Sequence, residues 1–272
     1  MNANLAFTIS LLAITFTSCT TNRYIYSASP ANNPYFTKKG DSKLTGYYSS
    51  DAGSDATEKY ARGLDLQGGY AFGNHWAIIA GYFNRKERDV QNESSRDDFF
   101  INYKRDLSDI GGGYFTQFNG NKNLSFNFYG GFASGKFSFE EDNYTRYHES
   151  VIHKWFLQPS INFIEGEYFR GSIATKVSFV HYGNVKTSYT STELNYYGLD
   201  KIADNTIIFF EPSFNIQFGI SQIPWVKADL VFSGSSDYQR PNSRLDVRSS
   251  NVSIGLSFDF SKINKKSKGD IK

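Results

Sequence analysis

The chain has 272 residues, with 29 Lys and Arg against 27 Asp and Glu; a formal net charge of +2 carries no nucleic-acid footprint. Its one cysteine, Cys19, excludes an intramolecular disulfide and any cysteine metal cluster. Beyond residue 18 there is no run of about 18 apolar residues, so no transmembrane helix is expected.

Residues 5–18 read LAFTISLLAITFTS, an apolar stretch too short to span a bilayer as a helix. We read residues 1–18 as a signal peptide, although its first residues, MNANLAF, carry no Lys or Arg. The segment FTSC resembles a bacterial lipoprotein processing site, in which the cysteine is lipidated and becomes the first residue. Cys19 is therefore the expected acylation (palmitate) position, and residues 19–41 the lipidated periplasmic linker.

Period-two alternation then runs from residue 42 to 261. Strands are expected near 42–50, 61–73, 75–85, 108–119, 123–139, 151–165, 168–183, 207–222, 226–238 and 249–261. The clearest is the last, where Val252, Ile254, Leu256, Phe258 and Phe260 share one face and Asn251, Ser253, Gly255, Ser257 and Asp259 the other. Ile208 to Ile220 repeats the pattern, as does the stretch around Trp155. Pro159 and Pro212 each remove a ladder donor, so bulges are expected there. Short links (Gly73-Asn74, 119–123, 165–167, 222–225) alternate with long ones (50–60, 85–107, 141–150, 185–206, 239–249).

That arrangement is an antiparallel up-and-down transmembrane β-barrel of ten strands, with its long loops outside the cell. The first strand and the split around Trp225 leave eight and twelve as alternatives. Mean hydropathy of −0.47 is compatible with it, because a barrel shows lipid only every second residue. The 25 Phe and 19 Tyr suit a bilayer surface and its interface. Residues 262–272 form a lysine-rich periplasmic tail.

The stretches NPYFTKKGDSKLTGYY, LQGGYAFGNHWAIIAGY and FFEPSFNIQFG resemble lipid-anchored outer-membrane β-barrels of Bacteroidetes. The resemblance implies fold and location, and no particular chemistry. Surface-exposed lipoproteins of that phylum often carry an acidic stretch after the cysteine; here Thr20, Thr21, Asn22 and Arg23 follow. That departure argues that the lipid sits in the inner leaflet, facing the periplasm, and an even strand count returns both termini to the periplasmic side.

Two constellations are candidates for chemistry. His181-Tyr182-Gly183-Asn184 resembles the His-x-Ser-Asn segment of outer-membrane lipid A deacylases, with His181 and Asn184 matching and Gly183 at the nucleophile position. Parity puts His181 on the lipid-facing side beside an outer loop, where acyl chains lie. Parity also turns Asp65, Lys176, Glu211, Lys227, Asp229 and Asp259 into the lumen, as an ion path or as an ion-paired plug. The plug is the favoured reading, with Tyr24, Tyr26, Tyr35 and Phe36 of the linker available to pack under or into the lumen. Gly111-Gly112-Gly113 reads as close packing or a bulge. No calcium-loop spacing, phosphate loop or zinc motif is present, so no cofactor and no metal site are expected. The expected role is an accessory or structural outer-membrane protein that binds outer-membrane lipid, lipopolysaccharide or a protein partner. A small-solute channel and a lipid acyl hydrolase are the alternatives.

Overall fold

The computed structural model describes residues 23–50, 60–91, 99–118, 121–142, 146–166, 168–220, 222–238, 246–248 and 250–262. The leader, Cys19 and nearly all of the expected tail lie outside these. The described strands are, in chain order, β1 (Tyr24–Ser27), β2 (Ser42–Ser50), β3 (Tyr60–Ala71), β4 (Trp76–Gln91), β5 (Phe99–Phe118), β6 (Asn121–Glu141) and β7 (Tyr147–Glu165). They continue with β8 (Phe169–Thr187), β9 (Ile207–Gly219), β10 (Val226–Gly234), β11 (Ser236–Asp237), β12 (Asp246–Arg248) and β13 (Ser250–Asp259).

Each of β2 to β9 pairs antiparallel with the next, β10 pairs with β13, and β13 returns to β2. The result is a closed ten-stranded barrel with no free edge among its wall strands. The expected count of ten is the count observed.

The wall has two zones. In the lower zone the outward residues are apolar, as in Leu64 and Leu66 on β3, Ile110 on β5, Trp155 on β7 and Ile254 on β13, all exposed. A continuous belt of exposed Leu, Ile and aromatic side chains around the wall is the surface that a barrel presents to lipid. Toward the long-loop end the outward residues turn polar: Asn84 follows Tyr82, Ser108 follows Ile110, Ser134 follows Phe132, and His153 follows Trp155. The inner face changes in the opposite sense. Phe99, Ile101, Tyr103, Phe137, Phe139, Ile152 and Tyr182 are buried in one apolar core inside the upper barrel. Above the bilayer the sheet is thus built like a water-soluble barrel, with polar wall and apolar filling.

This inversion corrects the expected long link at 85–107. Most of it is strand, because β4 runs to Gln91 and β5 starts at Phe99. Interleaved charge masked the alternation: Lys86 and Arg88 face outward, whereas Arg85, Glu87 and Asp89 are buried inward. The link at 185–206 also has structure of its own. Helix α1 (Ser191–Tyr196) starts at a capping box between Thr190 and Glu193. It ends at Gly198, at φ 72°, with Leu199 N–H donating to Leu194 C=O at 2.8 Å. Tyr189, Tyr197, Leu199 and Ile202 from this segment are buried on the upper core, so it closes over the barrel's outer end.

The bulges expected at Pro159 and Pro212 are absent. Phe128↔Pro159 and Thr175↔Pro212 keep register, and the irregularities fall at Gln117/Phe118 and Glu149/Val151 instead. Thr175 lies between the two prolines, and the β7–β8 ladder skips from Leu157↔Val177 to Ser160↔Ala174. Both missing donors therefore fall in one row, and the strands carry the defect as a local gap without shifting register.

The expected linker below the barrel is corrected in its described part. Residues 23 and 25–36 are buried and Tyr24 nearly so, because this segment runs inside the barrel. Residues 37–40 are exposed at the short-turn end. At full extension fourteen residues cover about 45 Å, enough to pass a hydrocarbon core of about 30 Å.

Candidate functional site

The lumen and the segment within it make up the site. At the outer end Arg23 donates from Nη2 to Glu141 Oε1 at 2.6 Å and to the Tyr197 hydroxyl at 3.1 Å. Its guanidinium lies 4.1 Å from the Tyr197 ring centroid. Glu141 is the last residue of β6 and also accepts from the Tyr189 hydroxyl. A charge-assisted pair roofed by aromatic rings is shielded from water, which strengthens it.

Three residues further in, on the extended strand β1, Tyr26 stacks on Phe209 at 4.1 Å and 6°. Its hydroxyl accepts from Lys154 Nζ at 2.6 Å and donates to Glu211 Oε1 at 3.0 Å. Lys154 and Glu211 also pair directly at 2.9 Å, with side chains 2% and 1% exposed. Arg105 Nη1 donates to Ser27 Oγ at 2.6 Å, and Lys176 Nζ to Ser29 Oγ at 3.1 Å.

The segment's backbone is held by wall side chains. Tyr182 donates to Ile25 C=O at 2.7 Å, Asn251 to Ala28 C=O at 2.9 Å, and Gln67 to Pro30 C=O at 2.8 Å. Gln158 donates to Asn32 C=O at 3.0 Å and Lys43 to Asn33 C=O at 3.2 Å. Asn32 in turn donates to the wall carbonyls of Gly68 and Ala80, each at 3.0 Å. Near the short-turn end the Tyr35 hydroxyl donates to Asn215 Oδ1 at 2.5 Å. Phe36 lies over Gly69, where an added Cβ would sit 3.0 Å from its ring. A carboxylate of Asp41 then accepts from the backbone N–H of Thr37 and Lys38. An unpaired carbonyl in a lumen is costly, so these partners fix the segment in one register.

All six charges expected to face the lumen do so and are buried. They do not form one network. Asp65 accepts from Ser49 and lies 3.7 Å from Arg85. Glu211 pairs with Lys154, and Lys176 reaches the threaded segment. Asp259 pairs with Arg170 at 2.9 Å and Lys227 at 3.7 Å, while Asp229 accepts from Tyr47 and Ser257. Lys154 was legible by parity beside Trp155. Arg85, Glu87 and Arg105 fell in residues read as a loop, and Arg23 in the linker. Among the described residues the buried charges are nine cations (Arg23, Lys43, Arg85, Arg105, Lys154, Arg170, Lys176, Lys227, Arg248) and eight anions (Asp41, Asp65, Glu87, Asp89, Glu141, Glu211, Asp229, Asp259). Rings of one sign would select ions; this near-balance makes pairs instead.

On the outer wall His181 is exposed and stands opposite His153 across β7–β8. Asn184, at φ 51°, forms the irregularity of β8, so parity is lost beyond Gly183. The hydroxyl nearest these imidazoles is Ser134, whose Oγ lies 3.2 Å from His153 Nδ1. His181 and Asn184 thus have no serine between them, and the serine–histidine contact uses a different histidine. Gly111 and Gly113 keep register with β6 and are close-packed, without a bulge. Among the described residues no group of three His, Cys, Asp or Glu is arranged to hold a metal, and no helix is long and apolar enough to cross a membrane.

Fold and site together define a closed antiparallel transmembrane barrel of the outer-membrane type, occupied by its own chain. No family model and no curated protein matches the sequence. Solved structures similar to it are outer-membrane barrels. The attachment invasion locus protein Ail of Yersinia pestis has 14% identity and a TM-score of 0.34, over 82% of this chain and 99% of that one. The NanC porin has 13% identity and a TM-score of 0.37, over 80% and 98%. The outer membrane protease OmpT of Escherichia coli has 9% identity and a TM-score of 0.40, over 81% and 94%. Likenesses this distant say nothing of its task.

Proposed function

We propose that this chain is a sealed, non-enzymatic outer-membrane barrel that serves as an accessory or structural protein, binding lipid or a protein partner through its outer wall. The carrying observation is the lumen: residues 25–36 fill it, buried and held from all sides. The outer wall supplies the binding surface. Above the apolar belt it presents Lys86, Lys104, Asp106, Lys136, Glu140 and Glu149 outward, a mixed-charge band at the height of lipid headgroups and lipopolysaccharide sugars. Acylation of Cys19 adds an anchor to a barrel already held by its belt; loss of palmitate label in Cys19→Ala checks it. The reading is tested by planar-bilayer recording of the purified protein. No steady conductance is expected, and discrete, reproducible channel openings would restore the small-solute channel.

One contact favours a second reading. Ser134 Oγ and His153 Nδ1 stand 3.2 Å apart at the border between apolar belt and polar wall, where acyl esters of the outer leaflet lie. A serine with an adjacent imidazole base is the minimum for ester cleavage. Fatty-acid release from outer-membrane lipid, lost in Ser134→Ala and in His153→Ala, would establish it; no release from any such lipid removes it.

A further inference from the structure

We infer that the chain enters its barrel from outside, so that its N-terminal end, Cys19 included, stands on the cell surface. Two observations carry this. First, the direction of the threaded segment is fixed at both ends. Arg23 is tied to Glu141 at the end of β6 and to Tyr197 of the closing segment, both at the long-loop end. Thr37 and Lys38 are tied to Asp41, one residue before β2, at the short-turn end. Long loops face outward in barrels of this kind. The segment therefore runs from the outer mouth to the periplasmic mouth as the sequence advances.

Second, chain reach excludes a return. Cys19 is four residues before Arg23. Four residues span about 14 Å at most, whereas the hydrocarbon core alone is about 30 Å thick. Glu141 lies seven residues beyond Ser134, the first outward polar position of β6, so Arg23 starts well above the core. The lumen offers no second passage, since its upper part is filled by the aromatic core and by the segment itself. A lipid on Cys19 therefore belongs to the outer side, opposite to the inner-leaflet placement that Thr20–Asn22 suggested.

The test is made on whole cells with the full chain. One epitope tag is inserted between Thr21 and Asn22, and in a second variant the same tag is placed between Lys38 and Lys39. Heat-modifiable gel mobility shows that each variant folds. The outer tag is expected to bind antibody on intact cells as well as on permeabilised ones, and the inner tag only after permeabilisation. The inference is overturned if the Thr21 tag needs permeabilisation, or if it is bound only after denaturation. Should the insertion prevent folding, Thr21→Cys and Lys39→Cys are labelled with a membrane-impermeant maleimide, and the same two patterns decide. The result is independent of whether the barrel conducts.

Discussion

Lys154 and Glu211 show how a single pair can hold the lumen. Both are buried to within 2% exposure, and Tyr26 of the threaded segment bonds to both. Removing one partner leaves a charge in a dry site, at a cost of about 3–5 kcal/mol. Lys154→Met is expected to lower stability by that amount in urea unfolding, while Lys154→Met with Glu211→Leu recovers most of the loss. A second residue sets a pH response. His148 is fully buried at the outer end of β7, stacked on Phe139 at 5.1 Å, and neither ring nitrogen has a hydrogen-bond partner. Burial lowers its pKa to about 4, against about 6.5 when unfolded. The folded form thus resists protonation. Its stability contribution is complete above about pH 6.5 and falls as pH drops toward 4, while the unfolded chain takes up the proton. Proteolysis of the outer half is expected to rise across that window in the wild type and to stay flat in His148→Phe.

Alternation made most elements legible. The faces of β9 and β13 lie as the sequence arranged them, because a period of two with a lipid-facing side allows one register. The upper parts of β4 and β5 were hidden, since above the bilayer both faces of β4 carry charge and periodicity loses its contrast. The segment 23–36 was hidden for another reason. A chain held by side chains from eight of the ten wall strands needs no periodicity of its own, and only its aromatic residues hinted at packing under or into the lumen. Shape complementarity at its inner end is testable. Phe36 rests on Gly69, so Gly69→Leu is expected to displace it, loosen the chain beyond it and speed trypsin cleavage at the already exposed Lys38 and Lys39, and Gly69→Leu with Phe36→Ala to return the slower cleavage. Unchanged cleavage in the single variant would mean that the ring is not seated there.

At the scale of the molecule, three fillings act together: ion pairs along the lumen from Asp259 with Arg170 at the short-turn end to Arg23 with Glu141 at the outer end, an aromatic core in the upper barrel, and the threaded segment through both. Fold class and strand count followed from pattern, because lipid imposes a strong rule on outward residues. Task did not follow, because a lumen filled by its own chain leaves chemistry to loops and outer wall, where polar residues obey no such rule. Ser29 is the most sensitive point of the filled lumen, buried mid-segment and bonded to Lys176. The decisive measurement is thiol labelling of Ser29→Cys, in a Cys19→Ala background, in folded protein in detergent. A small soluble maleimide is expected to react only after denaturation. Rapid labelling of the folded barrel would show an open lumen and contradict the account.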